Sequence, residues 1–382
     1  MLPADRNIRF SDHAILETAQ LAEELGVARV LLVCGKHAFV ASGAAECLPE
    51  LVRVAAVRRW SDFRANTDVV DLIDGLRLVE EFQPDLILGV GGGSAMDMAK
   101  LLCAYQGITD EDRLHEAIRD GAPVTDRRLK LVLSPTTSGS GSEATHFAVV
   151  YIGDQKYSIA GPAMLPDIVV LDPALTTSAT PYQRATSGID AVAQAVESLW
   201  SVGGTEASRG FAQQALAELI PALPDFVKTG SAESARQMAL GSHLAGRAID
   251  VSKTTAAHAL SYGITKTYGL PHGHAVALTL GGFIAAHADA TDDRLQTAIS
   301  PQQHRDAMAK ILAAWGADSA REARDGFHKL AEGIGLSMDL VQAGVTTRQQ
   351  VAELVSKVNL ERLGNNPVRF TREQLEDLVF RS

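Results

Sequence analysis

Short, unbroken apolar runs punctuate the first half of the chain. Residues 28–34 (ARVLLVC), 85–90 (DLILGV), 130–134 (KLVLS) and 168–172 (IVVLD) are of this kind. A run without polar alternation suits a strand covered on both faces, as in a parallel sheet. The stretch 52–60 (VRVAAVRRW) predicts a further strand. Between these runs the apolar period lengthens. Residues 11–25, with Ser11 or Asp12 as a candidate cap, and residues 69–82 carry helical spacing. Strand, helix and strand in succession predict a doubly wound parallel sheet.

From about Pro181 the pattern changes. Strand-like runs stop, and the Ala/Leu-rich segments 185–200, 206–220, 233–249 and 304–333 carry helical periodicity. Asp172-Pro173 and Thr180-Pro181 punctuate the change. The expected organisation is therefore an α/β domain over 1–180 and an all-helical domain over 181–382, with a ligand in the cleft between them.

Composition narrows the class. A chain of 382 residues exceeds what one core usually serves, in keeping with two domains. The formal net charge of -11 argues against a general nucleic-acid binder, which needs a basic face to neutralise phosphates. The first residues, MLPADRNIRF, show no basic start followed by an apolar run, and no apolar stretch is long enough to cross a bilayer. Three scattered cysteines, Cys34, Cys47 and Cys103, form no disulfide framework. A cytoplasmic protein without a membrane partner is the expectation.

Three constellations carry candidate chemistry. Gly91-Gly92-Gly93-Ser94 stands between a buried strand and a helix. Glycines there let the backbone approach a pyrophosphate, whose charge the free N–H groups of the helix start would hold; the bland alternative is a tight turn. Asp97 and Lys100 in the same helix are more than a turn requires. A second loop, Pro135 to Glu143 (PTTSGSGSE), offers hydroxyls and glycine N–H groups for a phosphate or ribose, or is an ordinary polar loop. In the helical half, Asp190 and Gln194 are four apart and share a helix face. His258 lies in a helical stretch and His272 in a turn between Pro271 and Gly273. A carboxylate, an amide oxygen and two imidazoles could hold one divalent ion, or the histidines could be satisfied core residues.

These motifs together resemble the iron-containing, or group III metal-dependent, alcohol dehydrogenases. The resemblance runs from VLLVCGK through FRANT, GGGSAMDMAK, SPTTSGSGSEAT and LPDIVVLDP to GIDAVAQAVE and HALSYGITKTYGLPHGHA. It implies a Rossmann-like parallel-sheet domain followed by a helical domain, the architecture shared with dehydroquinate synthases. It also implies one Fe²⁺ or Zn²⁺ in the intervening cleft, and a homodimer. The implied metal ligands are Asp190, Gln194, His258 and His272. Gln194 stands where the family usually has histidine, and Tyr262 where many relatives carry another histidine near the substrate. The implied dinucleotide residues are Asn66, Gly92, Gly93, Ser94, Thr136, Thr137 and Lys156. NAD-preferring relatives often carry an aspartate after the first strand, whereas this chain has Gly35 and then Lys36. Without a carboxylate to repel a 2′-phosphate, NADPH joins NADH as a candidate cofactor.

Within the family, ATHFAVVYI, SLWSV, SHLAGRAI, SKTTAAHALSY and LPHGHAVAL are similar to the phosphonoacetaldehyde reductases. That likeness implies a small anionic aldehyde. Lys253, Thr254 and Thr255 would hold its anionic end, with His146 among the residues adding positive charge, together with Arg184, His243 and His274. The implied reaction delivers hydride from the nicotinamide to a metal-polarised aldehyde, with a proton through Tyr262, His274, a ribose hydroxyl or water. The competing readings are a dehydrogenase for another small aldehyde such as lactaldehyde or a semialdehyde, a dehydroquinate synthase-like lyase, and a non-catalytic binding protein whose metal site decayed at Gln194.

Overall fold

The computed structural model describes residues 7–358 and 360–381. The chain divides into two compact units, Met1–Ala179 and Thr180–Ser382.

Unit 1 contains strands β1 (Ile8–Phe10), β2 (Arg29–Cys34), β3 (Ala56–Trp60), β4 (Leu86–Gly91), β5 (Lys130–Pro135), β6 (Phe147–Ile152), β7 (Gln155–Ala160) and β8 (Ile168–Leu171). Its helices are α1 (Thr18–Glu24), α2 (Ala38–Ala41), α3 (Leu48–Val54), α4 (Val69–Phe82), α5 (Gly93–Ala104) and α6 (Glu111–Asp120). Six strands form one parallel sheet in the order β1-β8-β5-β4-β2-β3. β2, β4 and β5 are apolar and buried on both faces, with separate clusters on either side of the sheet. The chain passes from β2 outward to β3 and then returns to the other side of β2 as β4. The order therefore reverses between β2 and β4, the place where open parallel sheets of this kind receive a ligand at their carboxyl ends.

Two expectations for this unit needed correction, and two of its features were not foreseen. Residues 11–25 do not form one helix capped by Ser11 or Asp12. A short 3-10 turn, Ala14–Glu17, precedes α1, and the residue before that turn, His13, is in the left-handed conformation. The run 52–60 is a strand only from Ala56, because Val52 to Val54 finish the helix that Pro49 opens. The edge strand β1 and the antiparallel hairpin β6–β7 were not expected. The first is only three residues long, and the second joins two runs of ordinary half-buried composition.

The α-helices of unit 2 are α7 (Pro181–Trp200), α8 (Glu206–Lys228), α9 (Ala232–Ser252), α10 (Ala256–Tyr268), α11 (His272–Ala288), α12 (Pro301–Ala314), α13 (Ala320–Gly333), α14 (Arg348–Ser356), α15 (Leu360–Gly364) and α16 (Arg372–Arg381), and its described residues form no strand beyond one isolated bridge between Leu295 and Val368. α8 runs beyond the expected end at residue 220, with Pro221 and Pro224 inside it. Burial of Ala222, Leu223, Phe226 and Val227 offsets the hydrogen bonds those prolines forgo. The segment 304–333 is two helices rather than one. Gly316, at a φ of 58°, turns the chain after α12, and Ser319 caps α13 through the Glu322 N–H.

α7 is the centre of this unit. A capping box at Thr180 and Gln183 starts it, and from Gly188 to Trp200 every residue is buried. Polar side chains projecting from it are therefore removed from water and need partners. No helix among the described residues is long and apolar enough to cross a membrane.

Candidate metal centre and dinucleotide end

The carboxyl end of the parallel sheet gathers most of the residues expected to hold a dinucleotide. Cys34 is level with Val90, and Gly91 with Pro135, so Gly35, the glycine loop and Thr136 follow from neighbouring strands. The Thr136 N–H donates to the Gly91 carbonyl at 2.9 Å. Gly92 opens α5 without a side-chain cap. A Cβ added at Gly92 would meet only the Thr137 side chain, at an ordinary contact distance of 3.6 Å, so no backbone lies against this residue. An uncapped helix start behind an open cradle fits the phosphates of a dinucleotide. Asn66 takes a φ of 62°, and its N–H donates to Ser94 Oγ at 3.1 Å, which adds a third loop to the same end. Lys36 is exposed directly after β2; its carbonyl accepts from Arg59 Nη2 at 3.0 Å.

Asp97 and Lys100 explain why the second loop keeps its shape. Lys100 is completely buried, and its ammonium donates to the Thr145 and Phe147 carbonyls at 2.8 and 2.9 Å and also to the Ser142 carbonyl. Asp97 accepts from Ser142 Oγ at 2.5 Å and from the Val149 N–H at 3.0 Å. Burial pushes the Asp97 carboxyl above the usual range, against the pull of Lys100. Lys156 lies in β7 opposite Tyr151, near enough to Asp97 to act on it electrostatically. His146 precedes β6 and packs edge-on against Phe147.

In unit 2, Asp190, His258 and His272 come together from α7, α10 and α11, with one ligand atom of each within 4.8 Å of the others. His272 is the first residue of α11 rather than part of a free turn. Gly273 makes this approach possible: a Cβ there would collide with the Thr186 carbonyl and press on Asp190. His258 Nε2 lies 3.4 Å from Asp190 Oδ1, and His272 Nε2 lies 3.8 Å from the same oxygen. Asp190 Oδ1 and His258 Nε2 are both buried without a hydrogen-bond partner. Two facing buried acceptor atoms, joined by a second imidazole, make a donor set that fits one divalent cation. Gln194 lies one turn along α7, and its Nε2 donates to Asp190 Oδ2 at 3.0 Å, leaving Oδ1 turned towards the histidines.

The far sides of both imidazoles are also held. His258 Nδ1 meets Glu197, a completely buried carboxylate on the same face of α7. Burial draws the His258 pKa down, but Glu197 and then Asp190 outweigh it and raise the value to about 10. This is a field that favours a positive charge between the carboxylates. Ser261 Oγ donates to the His258 carbonyl at 2.8 Å and sits 3.2 Å from His272 Nδ1. Tyr262 stacks flat on the His272 ring, with centroids 5.6 Å apart.

The remaining expected residues fall into two groups. Lys253 and Thr254 lie between α9 and α10, with Lys253 at a φ of 55°. Their backbone is clamped by Asn365, whose Nδ2 donates to the Ser252 and Thr254 carbonyls at 2.8 and 3.0 Å. Thr255, expected beside the substrate, is fully buried instead, and its hydroxyl lies between Trp200 Nε1 and Glu197. His274 Nδ1 is 3.0 Å from the Tyr182 hydroxyl and its Nε2 is 2.7 Å from the Ser337 carbonyl, so both ring nitrogens are engaged. Glu197 was not singled out from the sequence, although its i+7 spacing from Asp190 on α7 was a usable signal.

Comparison with known proteins agrees with this arrangement. Residues 5–173 match the family described as iron-containing alcohol dehydrogenase, and residues 184–382 match the C-terminal domain of the Fe-containing alcohol dehydrogenase family. A phosphonoacetaldehyde reductase of Streptomyces viridochromogenes is 35% identical over 213 residues, 54% of each chain. Long-chain-alcohol dehydrogenase 1 of Geobacillus thermodenitrificans is 37% identical over 198 residues, 51% of this chain and 50% of its own. The chain thus spans about half the length of these curated relatives. Among solved structures, the sulfoacetaldehyde reductase of Bifidobacterium kashiwanohense in complex with NAD⁺ superposes with a TM-score of 0.87 at 29% identity, covering 100% of this chain and 98% of that one.

Proposed function

The chain belongs to the iron-containing alcohol dehydrogenase family, and on that premise we propose that it reduces a small aldehyde to its primary alcohol in a metal-dependent, nicotinamide-linked reaction. The substrate we propose is phosphonoacetaldehyde, with 2-hydroxyethylphosphonate as product. Unit 1 would be the dinucleotide domain and unit 2 the metal and substrate domain, in a cytoplasmic homodimer.

The observation that carries the reading is the buried pair Asp190 Oδ1 and His258 Nε2, facing each other 3.4 Å apart without a hydrogen bond to either, with His272 beside them. Uncompensated polar atoms at that depth are costly unless a ligand completes them. Asp190, His258 and His272, with the amide oxygen of Gln194, would hold Fe²⁺ or Zn²⁺. When bound, the ion supplies Lewis-acid polarisation of a carbonyl and the nicotinamide supplies hydride. Tyr262, lying against His272, would deliver the proton to the product oxygen. His274 is the weaker candidate for that role, because both of its nitrogens are already engaged.

Gly92, Gly93, Ser94, Thr136 and Thr137 would cradle the cofactor's phosphates, with Asn66 and Lys156 beside them. Gly35 and the exposed Lys36 admit NADPH as well as NADH, since neither repels a 2′-phosphate. Lys253 and Thr254 would hold the phosphonate. A second reading, sulfoacetaldehyde as substrate, is favoured by the full-length likeness to the sulfoacetaldehyde reductase; both aldehydes end in a tetrahedral oxyanion.

The test is the initial rate of NADH and NADPH oxidation with phosphonoacetaldehyde, sulfoacetaldehyde, lactaldehyde, succinic semialdehyde and butyraldehyde. The expected result is the highest kcat/KM with phosphonoacetaldehyde. A preference for butyraldehyde would remove the anionic substrate and leave the reductase.

A further inference from the structure

Glu197 is a charged side chain with no exposure at all, in the last turn of the fully buried stretch of α7. Burying a carboxylate costs several kcal/mol unless its oxygens are fully used. Here they are. Oε1 accepts from the Thr255 hydroxyl at 2.8 Å, the Ala257 N–H at 2.9 Å and the His258 N–H at 3.3 Å. Oε2 accepts from the Thr255 N–H at 3.1 Å and meets the ring nitrogen Nδ1 of His258. The Thr255 hydroxyl receives the Trp200 indole N–H at 2.9 Å, which leaves its own hydrogen to point at Glu197.

Every group that faces this carboxylate is thus a donor, and the imidazole can join them only with its proton on Nδ1. In the neutral ring, the form that ligates a metal, that proton placement leaves the lone pair on Nε2, the atom turned towards Asp190 Oδ1. We propose that Glu197 is a positioning residue that locks His258 in the Nδ1–H form and so presents Nε2 as a metal ligand. This rests on the reading of Asp190, His258 and His272 as a metal centre. Carboxylates behind metal-bound histidines raise the basicity of the ligand and fix its ring.

The same carboxylate also receives N–H groups from the first turn of α10, so it has a competing and purely structural role as a helix cap. The two roles part company in the variant Glu197→Gln. Glutamine keeps the shape but brings an NH₂ that must face donors on either side. On the Oε2 side the imidazole can relieve the conflict by moving its proton to Nε2, and that form cannot ligate.

The experiment uses the full chain stripped of metal, with Zn²⁺ titrated against a chromogenic chelator and the thermal midpoint of the metal-free protein recorded in parallel. Glu197→Gln is expected to weaken Zn²⁺ binding by about 10- to 100-fold, more than any change in the metal-free midpoint accounts for. Thr255→Val, a milder change that removes the hydroxyl donor, is expected to weaken it several-fold and serves if Glu197→Gln does not fold. Unchanged Zn²⁺ affinity in folded Glu197→Gln overturns the proposal. So does a lower midpoint with unchanged affinity in Thr255→Val. The metal reading itself fails in a different way: wild type and His258→Ala would then bind Zn²⁺ equally.

Discussion

Unit 1 offers a ligand its backbone, whereas unit 2 offers side chains. At the end of the parallel sheet the candidate parts are glycine N–H groups, an uncapped helix start and small hydroxyls, while the acidic and basic side chains nearby, Asp97 and Lys100, hold the second loop in place. In the helical unit the candidate parts are a carboxylate and imidazoles brought together from three helices, Asp190 and His258 buried and His272 partly exposed, with a second, buried carboxylate behind them. The difference sets what each site tolerates. A backbone site survives the loss of a side chain but is blocked by a gained one; a side-chain site is the reverse.

The largest expected effect breaks the side-chain site. Asp190→Ala or His272→Ala should abolish tight metal binding and lower kcat/KM by more than about a hundredfold, beyond what loss of a partner behind a ligand costs. Metal content and turnover measured on the same samples check this, and a fully active, metal-free His272→Ala would refute the assignment. Next comes the backbone site. A Cβ at Gly92 meets only the Thr137 side chain, at an ordinary contact distance of 3.6 Å, so in Gly92→Val the thermal midpoint should hold while NAD(P)H affinity falls by about tenfold or more, because the cradle is filled. Thr137→Val at the same place removes a single hydrogen bond, for a loss of about two- to tenfold. Fluorescence titration of both variants gives the comparison, and the reverse order would contradict it.

Lys253 sharpens the contrast within unit 2. Its left-handed backbone is held by Asn365 on both neighbouring carbonyls, a conformation that glycine would adopt more easily. Lys253→Ala should lose roughly 1.5–3 kcal/mol of charge-assisted binding, a drop of about 10- to 100-fold in kcat/KM for phosphonoacetaldehyde. An uncharged aldehyde should be nearly unaffected. Equal losses for the two would make Lys253 structural.

The smallest effect concerns stability. Burial, and after it neighbouring His304, hold the His287 pKa well below 6.5, and burial also lowers that of His304. These imidazoles stay neutral in the folded protein but bind protons when unfolded. Their contribution is therefore complete above about pH 6.5 and declines below it, by up to about 1.4 kcal/mol per pH unit for each group. Thermal midpoints should fall between pH 7 and 5.5; a flat profile would contradict this.

The same contrast explains what could be read from the sequence. The dinucleotide end was legible locally, because its residues follow directly from apolar strands whose ends sit side by side: Gly35 after β2, Gly92 after β4, Thr136 after β5. Helix α4 was expected over 69–82 and is found as Val69–Phe82. Asp190 and His272 lie 82 positions apart and converge with His258 only through helix packing, so spacing could place Asp190, Gln194 and Glu197 on one helix face but could not bring the histidines to them. The contact of Glu197 with Thr255 and His258 was not legible, because it exists only once α7 and the start of α10 pack together. Thr255, two residues after Lys253, is buried against Trp200 and Glu197.

The most direct test of the account is metal removal and return. Wild-type protein dialysed against a chelator should lose its NADH- or NADPH-linked reduction of phosphonoacetaldehyde and regain it with Fe²⁺ or Zn²⁺ near one equivalent per chain, while Asp190→Ala should regain none. Turnover that persists in protein shown to contain no metal would contradict the account.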